Sequence, residues 1–172
     1  MAEEQVILVD GQDREVGSMA KLAAHQNGGV RHRAFSVFIV DARGRWLLQR
    51  RAAGKYHFPG LWTNACCSHP RPGEGTEAAA HRRLHEELGF DCPLNEKFQF
   101  EYQATSEAEG LTEHELDHVF TGVYGGEIQP NPDEVGKVRW VEPAALEREL
   151  REHPEEFTPW FKLALERVRK VL

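Results

Sequence analysis

The segment Thr76–Leu88 constrains the fold most. Ala80, Leu84 and Leu88 recur at four-residue spacing and form a narrow apolar stripe along one helix face. Thr76 is expected to cap this helix, Glu77 suits its positive N-terminus, and Gly89 suits the position just past its end. Such a stripe needs a sheet to lie on, and the flanking sequence supplies one. Val6–Val9, Ala34–Val40, Trp46–Gln49, Lys97–Thr105, Glu113–Tyr124 and Lys137–Val141 read as strands, with Asp41 to Gly44 turning a hairpin between the second and third. Ser18–His25 reads as a short helix capped by Ser18, and Pro143–Arg151 as another helix. A last helix starts at Thr158-Pro159 and carries Phe161, Leu165 and Val168 on one face. The order is β, α, β, β, α, β, β, β, α, α, without repeat or linker. It predicts a single α/β (α+β) domain over residues 1–172, a mixed sheet sandwiched between helices.

The bulk properties bound the function. The chain has 172 residues, enough for one substantial core, and no apolar run long enough to span a bilayer. Met1 to Gln5 is acidic, unlike a signal peptide. Three cysteines, two of them adjacent, do not suggest a secreted disulfide framework, so free thiols and a cytoplasmic location are expected. A net charge of −7 argues against nucleic acid as the main partner. The charge is unevenly spread: residues 1–90 hold 12 Lys and Arg against 10 Asp and Glu, the remainder 9 against 18. Arg31 with Arg33, Arg50 and Arg51 with Lys55, and Arg82 with Arg83 form basic clusters in an acidic protein, as expected around a small phosphorylated ligand.

Three groups of residues carry chemistry. Trp62-Thr63-Asn64-Ala65-Cys66-Cys67-Ser68-His69-Pro70 places a thiol two residues before an imidazole on one short segment. Glu113-His114-Glu115 lies in an expected strand, so its two carboxylates share a face and need a cation or a proton between them. Among the nine histidines, His25 and His32 flank a loop at Asn27-Gly28-Gly29. Finally, the expected helix ends in Arg82-Arg83-Leu84-His85-Glu86-Glu87-Leu88-Gly89-Phe90, which resembles the end of the Nudix box G-x5-E-x7-R-E-U-x-E-E-x-G-U, where U is apolar. Ser68 falls at the first Gly, Glu74 at the first Glu, Arg82 at the Arg, and Glu86 and Glu87 at the Glu pair. Arg83 stands where hydrolases of that superfamily carry a metal-binding Glu. A cation there weakens multi-metal binding and adds a phosphate contact.

With Lys21 to His25, Arg31 to Ser36, Gln49 to Ala52, Phe58 to Asn64, Cys67 to Pro70, Glu113 to Glu115 and Phe157 to Trp160, the chain resembles the type I isopentenyl-diphosphate delta-isomerases of the Nudix superfamily. The resemblance runs from about Val6 to Trp160. It implies interconversion of isopentenyl and dimethylallyl diphosphate in isoprenoid biosynthesis. It also implies one divalent metal, Mn²⁺, Zn²⁺ or Mg²⁺, on His25, His32, His69, Glu113 and Glu115. Cys67 and Glu115 become the acid/base pair on opposite faces of the bound alkene. Glu115, or Tyr102 beside it, is expected to deliver one proton, and Cys67 as thiolate to remove the other. Glu87 is expected to hold a Mg²⁺ that accompanies the diphosphate. Lys21, Arg51, Lys55 and Arg83 are expected to contact the diphosphate, with Trp160 and Tyr102 lining the hydrocarbon pocket.

A nucleotide-type diphosphate hydrolase is the competing reading, opposed by Arg83 and by a thiol that hydrolysis does not need. A binding module without catalysis is the third. Cys66 is expected to point away from Cys67 and pack, and Cys92 has no assigned role. His57, His81, His85, His114, His118 and His153 are expected to be structural or surface residues. The segment around His25 and His32 is expected to order when metal binds. The sequence leaves the oligomeric state open.

Overall fold

In a computed structural model, residues 3–172 are described; Met1 and Ala2, read above as part of an acidic start, lie outside them. The elements run β1 (Gln5–Val9), β2 (Glu15–Ala20), α1 (Lys21–Ala24), β3 (His32–Val40), β4 (Trp46–Arg51), β5 (Trp62–Thr63), β6 (Cys66–Ser68), α2 (Thr76–Leu88), β7 (Asn95–Ser106), β8 (Leu111–Val123), β9 (Val135–Val141), α3 (Pro143–Glu152), a 3₁₀ turn (Pro154–Glu156) and α4 (Pro159–Val171).

Strand β3 is the hub. It pairs in parallel with β8 over its whole length, from His32↔Glu115 to Val40↔Val123. It pairs antiparallel with β6, where Ser36 faces Cys67 and Val37 faces Cys66. Side chains alternate faces along a strand, so β3 feeds two cores. Phe35, Val37 and Ile39 pack with Ala80, Leu84 and Leu88 of α2. Phe38 packs with Trp160, Phe161, Leu165 and Val168 of α4. The expected mixed sheet between helices is what forms.

Three local expectations are corrected. Ser18 does not cap a helix, because β2 pairs with β1 through Ile7↔Ser18 and Gln5↔Ala20, and the helix begins only at Lys21. Backbone bonding to β1 outweighs the local capping preference. Thr76 is the first residue of α2 rather than its cap; Gly75 takes that place, and no side chain bonds the free amides. The Asp41 to Gly44 turn is present, but β3 and β4 pair only at Val40↔Trp46. β4 runs along β9 instead, from Trp46↔Val141 to Arg51↔Val135, since β8 and β6 already occupy β3. Gly89 ends α2 at φ 73° as expected, and a Cβ there would meet the Gln129 backbone oxygen at 2.9 Å.

Candidate active site

The two β8 carboxylates are where the site is assembled. Glu113, Glu115 and Asp117 share one face of β8, and all three are buried. The parallel register sets His32 beside Glu115. His25 arrives from the end of α1 and His69 from just past β6. These five residues offer ligand atoms that all lie within 4.8 Å of one another. The Nε2 atom of His25 lies 3.0 Å from Glu113 Oε2, and those of His32 and His69 lie 3.3 and 2.9 Å from Glu115 Oε1. His32 and His69 bring two ring nitrogens within 3.2 Å.

Backbone carbonyls aim two of these rings. His25 Nδ1 donates to the Lys21 carbonyl and His32 Nδ1 to the Val30 carbonyl, each at 2.7 Å. Carbonyls only accept, so both Nε2 atoms are left pointing at the carboxylates, the orientation that metal-binding imidazoles take. Without a metal, burial works against a charged ring, yet hydrogen bonds to Glu113 and Glu115 outweigh it at His25 and carry it up to about 10. At His69 burial dominates and lowers the ring to about 4. A mixed set of buried nitrogens and carboxylate oxygens, converging and already oriented, fits one divalent cation.

His69, Glu113 and Glu115 of this cluster form part of the wall of a narrow pocket with about 30 Å³ of free space. Cys67 and Trp160 line it, as do Tyr102 and Glu115. Trp160 Nε1 donates to Cys67 Sγ at 3.0 Å, and the Cys67 thiol donates to Asn64 Oδ1 at 3.0 Å. The Tyr102 hydroxyl donates to Glu115 Oε2 at 2.6 Å. Burial, reinforced by Asp117, pushes the Cys67 thiol up to about 12, so the ligand-free site holds it protonated. Arg51 lies over the Trp160 ring at 5.4 Å and holds the carbonyls of His57 and Phe58 at 3.2 Å.

The cationic residues also line the pocket: Lys21, Lys55 and Arg83, each already holding a carboxylate. Lys21 bonds Glu4 at 3.2 Å, and Arg83 bonds Glu86 at 2.8 Å and Glu87 at 3.0 Å. Lys55 pairs with Glu134, which also lies 3.4 Å from Arg83. Glu87 is not on the pocket wall. It is buried, its Oε2 taking the Cys66 thiol at 2.9 Å and Gln49 at 3.3 Å, and its Oε1 taking Arg83. Cys66 therefore points away from Cys67 and packs against α2, because adjacent residues of β6 face opposite ways.

One expectation needs correction. His57 is not a bystander: its Nε2 contacts Glu113 Oε1, and its ring stacks on His25 at 5.0 Å. His118 is a buried structural residue, held between Asp13 and Glu96 on the opposite side of β8. No spacing in the sequence marks either residue. Asn64 was within the segment singled out, but an amide beside a thiol carries no signature until the amide is oriented.

Residues 30–161 match the NUDIX domain family. The chain superposes on the crystal structure of DR0079 from Deinococcus radiodurans with a TM-score of 0.71 at 21% identity, covering 87% of this chain and 90% of that one. It superposes on the MutT protein from Methanosarcina mazei with a TM-score of 0.66 at 20% identity, covering 81% and 94%. At those identities the likeness is one of fold. Closer relatives narrow the class. The chain is 51% identical to isopentenyl-diphosphate Delta-isomerase 2 of Aromatoleum aromaticum, over 96% of this chain and 87% of that protein. It is 48% identical to isopentenyl-diphosphate Delta-isomerase of Nocardia farcinica, over 94% and 92%. The chain belongs to the isopentenyl-diphosphate Delta-isomerase family of NUDIX-domain proteins.

Proposed function

We propose that this protein interconverts isopentenyl and dimethylallyl diphosphate, with Glu115, assisted by Tyr102, and Cys67 as its two proton-transfer groups. The observation that carries the reading is the shared pocket. Its lining holds both a buried carboxylate with a phenol on it and a half-buried thiol against an indole N–H. Moving a double bond by one carbon requires a proton placed on one carbon and another removed two carbons away. Glu115 and Tyr102 deliver the first, and Cys67 as thiolate receives the second. The indole N–H of Trp160 and the Arg51 guanidinium favour the thiolate against its burial. In the reverse direction Cys67 is the donor and Glu115 the acceptor, and the S–H must turn from Asn64 Oδ1 to the substrate for that step. The tertiary cation formed in between needs a wall that stabilises charge without attacking it. The rings of Trp160 and Tyr102 supply one, worth about 2 kcal/mol when desolvated. Exclusion of water keeps the cation from being trapped as an alcohol.

A divalent metal on His25, His32, His69, Glu113 and Glu115 supplies positive charge that fixes and polarises the Glu115 carboxylate. Its identity, Mn²⁺, Zn²⁺ or Mg²⁺, is open to that mixed donor set. Lys21, Arg51, Lys55 and Arg83 are assigned to the diphosphate. Glu87, whose Oε1 is held by Arg83, is assigned to the Mg²⁺ that would come with it. Three free thiols and the absence, among the described residues, of any helix long and apolar enough to cross a membrane agree with a cytoplasmic enzyme.

The test is NMR of isopentenyl diphosphate with the protein and a divalent metal in D₂O. Appearance of deuterated dimethylallyl diphosphate is expected. Full isomerisation by Cys67→Ala would sink the assignment of that thiol.

A further inference from the structure

The Cys67 thiol is held by a buried chain of hydrogen bonds that begins on another element. Asn64, between β5 and β6, is fully buried. Its Nδ2 donates to the Val37 carbonyl at 3.0 Å and to the Cys66 carbonyl at 2.9 Å. Both amide hydrogens are thus committed to groups that only accept, and the side chain has one orientation left. That orientation turns Oδ1 toward Cys67. Oδ1 takes the Cys67 S–H at 3.0 Å and the Thr63 hydroxyl at 2.9 Å. The Thr63 oxygen in turn accepts the Thr158 hydroxyl at 2.8 Å. Thr158 is the residue from which α4 starts, and its backbone N–H donates to the Trp62 carbonyl at 3.0 Å. Two residues on, Trp160 donates its indole N–H to Cys67 Sγ.

We propose that Asn64 is a positioning residue for proton transfer at Cys67. It fixes the S–H rotor and the place of the sulfur, and through Thr63 and Thr158 it ties both to the seating of the helix that carries Trp160. The other hydroxyls near the sulfur, Ser36 and Thr63, stand at 3.9 Å and compete weakly. Asn64 and Trp160 hold the sulfur from two directions and leave its remaining side to the pocket that Cys67 lines, where the thiolate, which carries no S–H, accepts the substrate proton. Proton transfer is sensitive to displacements well below the length of a bond, so a sulfur free to shift is slow even where the substrate still binds.

The proposal rests on the reading of Cys67 as a proton-transfer group, and the experiment separates the two. The S–H stretching band of Cys67 is recorded by Raman spectroscopy, assigned by its loss in Cys67→Ser, and steady-state kinetics are measured on isopentenyl diphosphate. Asn64→Ala is expected to move the band to higher wavenumber, as a lost acceptor does, and to lower kcat by roughly tenfold while KM stays within about twofold. Thr63→Val keeps both Asn64 anchors and leaves Oδ1 to the thiol alone, so its band is expected at lower wavenumber. This variant carries the test if Asn64→Ala does not fold. A band unmoved in either variant, or an unchanged kcat in folded Asn64→Ala, overturns the proposal. If the unmodified protein does not isomerise its substrate, the functional reading fails, while the band shifts still decide whether Asn64 holds the thiol.

Discussion

Tyr102 and Glu115 are cross-strand partners in β7 and β8, and the Tyr102 hydroxyl donates to Glu115 Oε2 at 2.6 Å. The register alone puts them side by side on one face of the sheet. Both are buried, so the hydrogen bond to a charged oxygen is worth about 1.5–3 kcal/mol. Tyr102→Phe removes the hydroxyl and keeps the ring. A fall in kcat of roughly ten- to a hundredfold is expected, with the metal still bound. Unchanged kcat in steady-state assays would show that Glu115 works without its phenol.

The metal cluster predicts a stability change that can be read without activity. A divalent ion bound to the folded chain adds about 2.7 kcal/mol when its concentration is a hundredfold above Kd. Titration calorimetry should give one ion per chain, and thermal melts should rise with metal and fall back with chelator. His69→Ala, which takes away one of the three imidazoles of the five-residue ligand set, should fold but lose most of that rise. A rise equal to that of the unmodified protein would place the ion elsewhere.

Glu134 stands where an anionic ligand would be expected. It pairs with Lys55 and lies 3.4 Å from Arg83, and both cations line the pocket. A diphosphate bound as proposed would therefore compete with a carboxylate already present. Glu134→Gln should lower the KM for isopentenyl diphosphate by about two- to fivefold, the scale of one partly exposed ion pair. A raised KM would mean that Glu134 positions Lys55 rather than blocks it.

Glu74 and Arg82, both picked out by the box pattern, turn out to bind each other rather than the pocket. The guanidinium meets the carboxylate with two bonds of 2.7 and 2.8 Å, and the Arg71 amide adds a third at 2.9 Å. Those Arg82 bonds hold the Glu74 carboxyl below its ordinary value of 4.5. A lowered carboxyl stabilises the fold above the unfolded value and loses that contribution as pH falls through the folded one. Glu74→Gln should cost about 1 kcal/mol in urea melts at neutral pH. The gap should narrow as pH falls from 4.5 and close below the lowered folded value, where both chains carry a neutral side chain. A gap that persists in acid would point to packing rather than charge.

Much of this molecule was legible in its residues. The α2 stripe and its Gly89 stop, the strand patterns and the α4 face mapped onto the structure because period and capping are local properties. Five metal-site residues were named through the family resemblance, and spacing alone had no means of assembling them. Ser18 and Thr76 were misread for one reason: each is a good cap locally, and pairing with β1 or a backbone already turned at Gly75 decided otherwise. His57 was missed because nothing within its own loop reveals that Arg51 ties that loop down beside Glu113.

The sequence by itself determined which chemistry is available: a thiol, an imidazole set, paired carboxylates and a cationic lining, together with an α/β fold to carry them. It carried the expectation that Cys66 points away from Cys67, and the structure supplies the reason, a strand at Cys66–Ser68 whose adjacent residues face opposite ways. Tertiary structure decided which groups meet. The parallel register of β3 and β8 sets His32 beside Glu115, and the seating of α4 brings Trp160 onto Cys67 from 93 residues away. The orientation of Asn64, set by two carbonyls on neighbouring strands, decides where the thiol points its proton. These contacts join residues distant in sequence, and only packing fixes them.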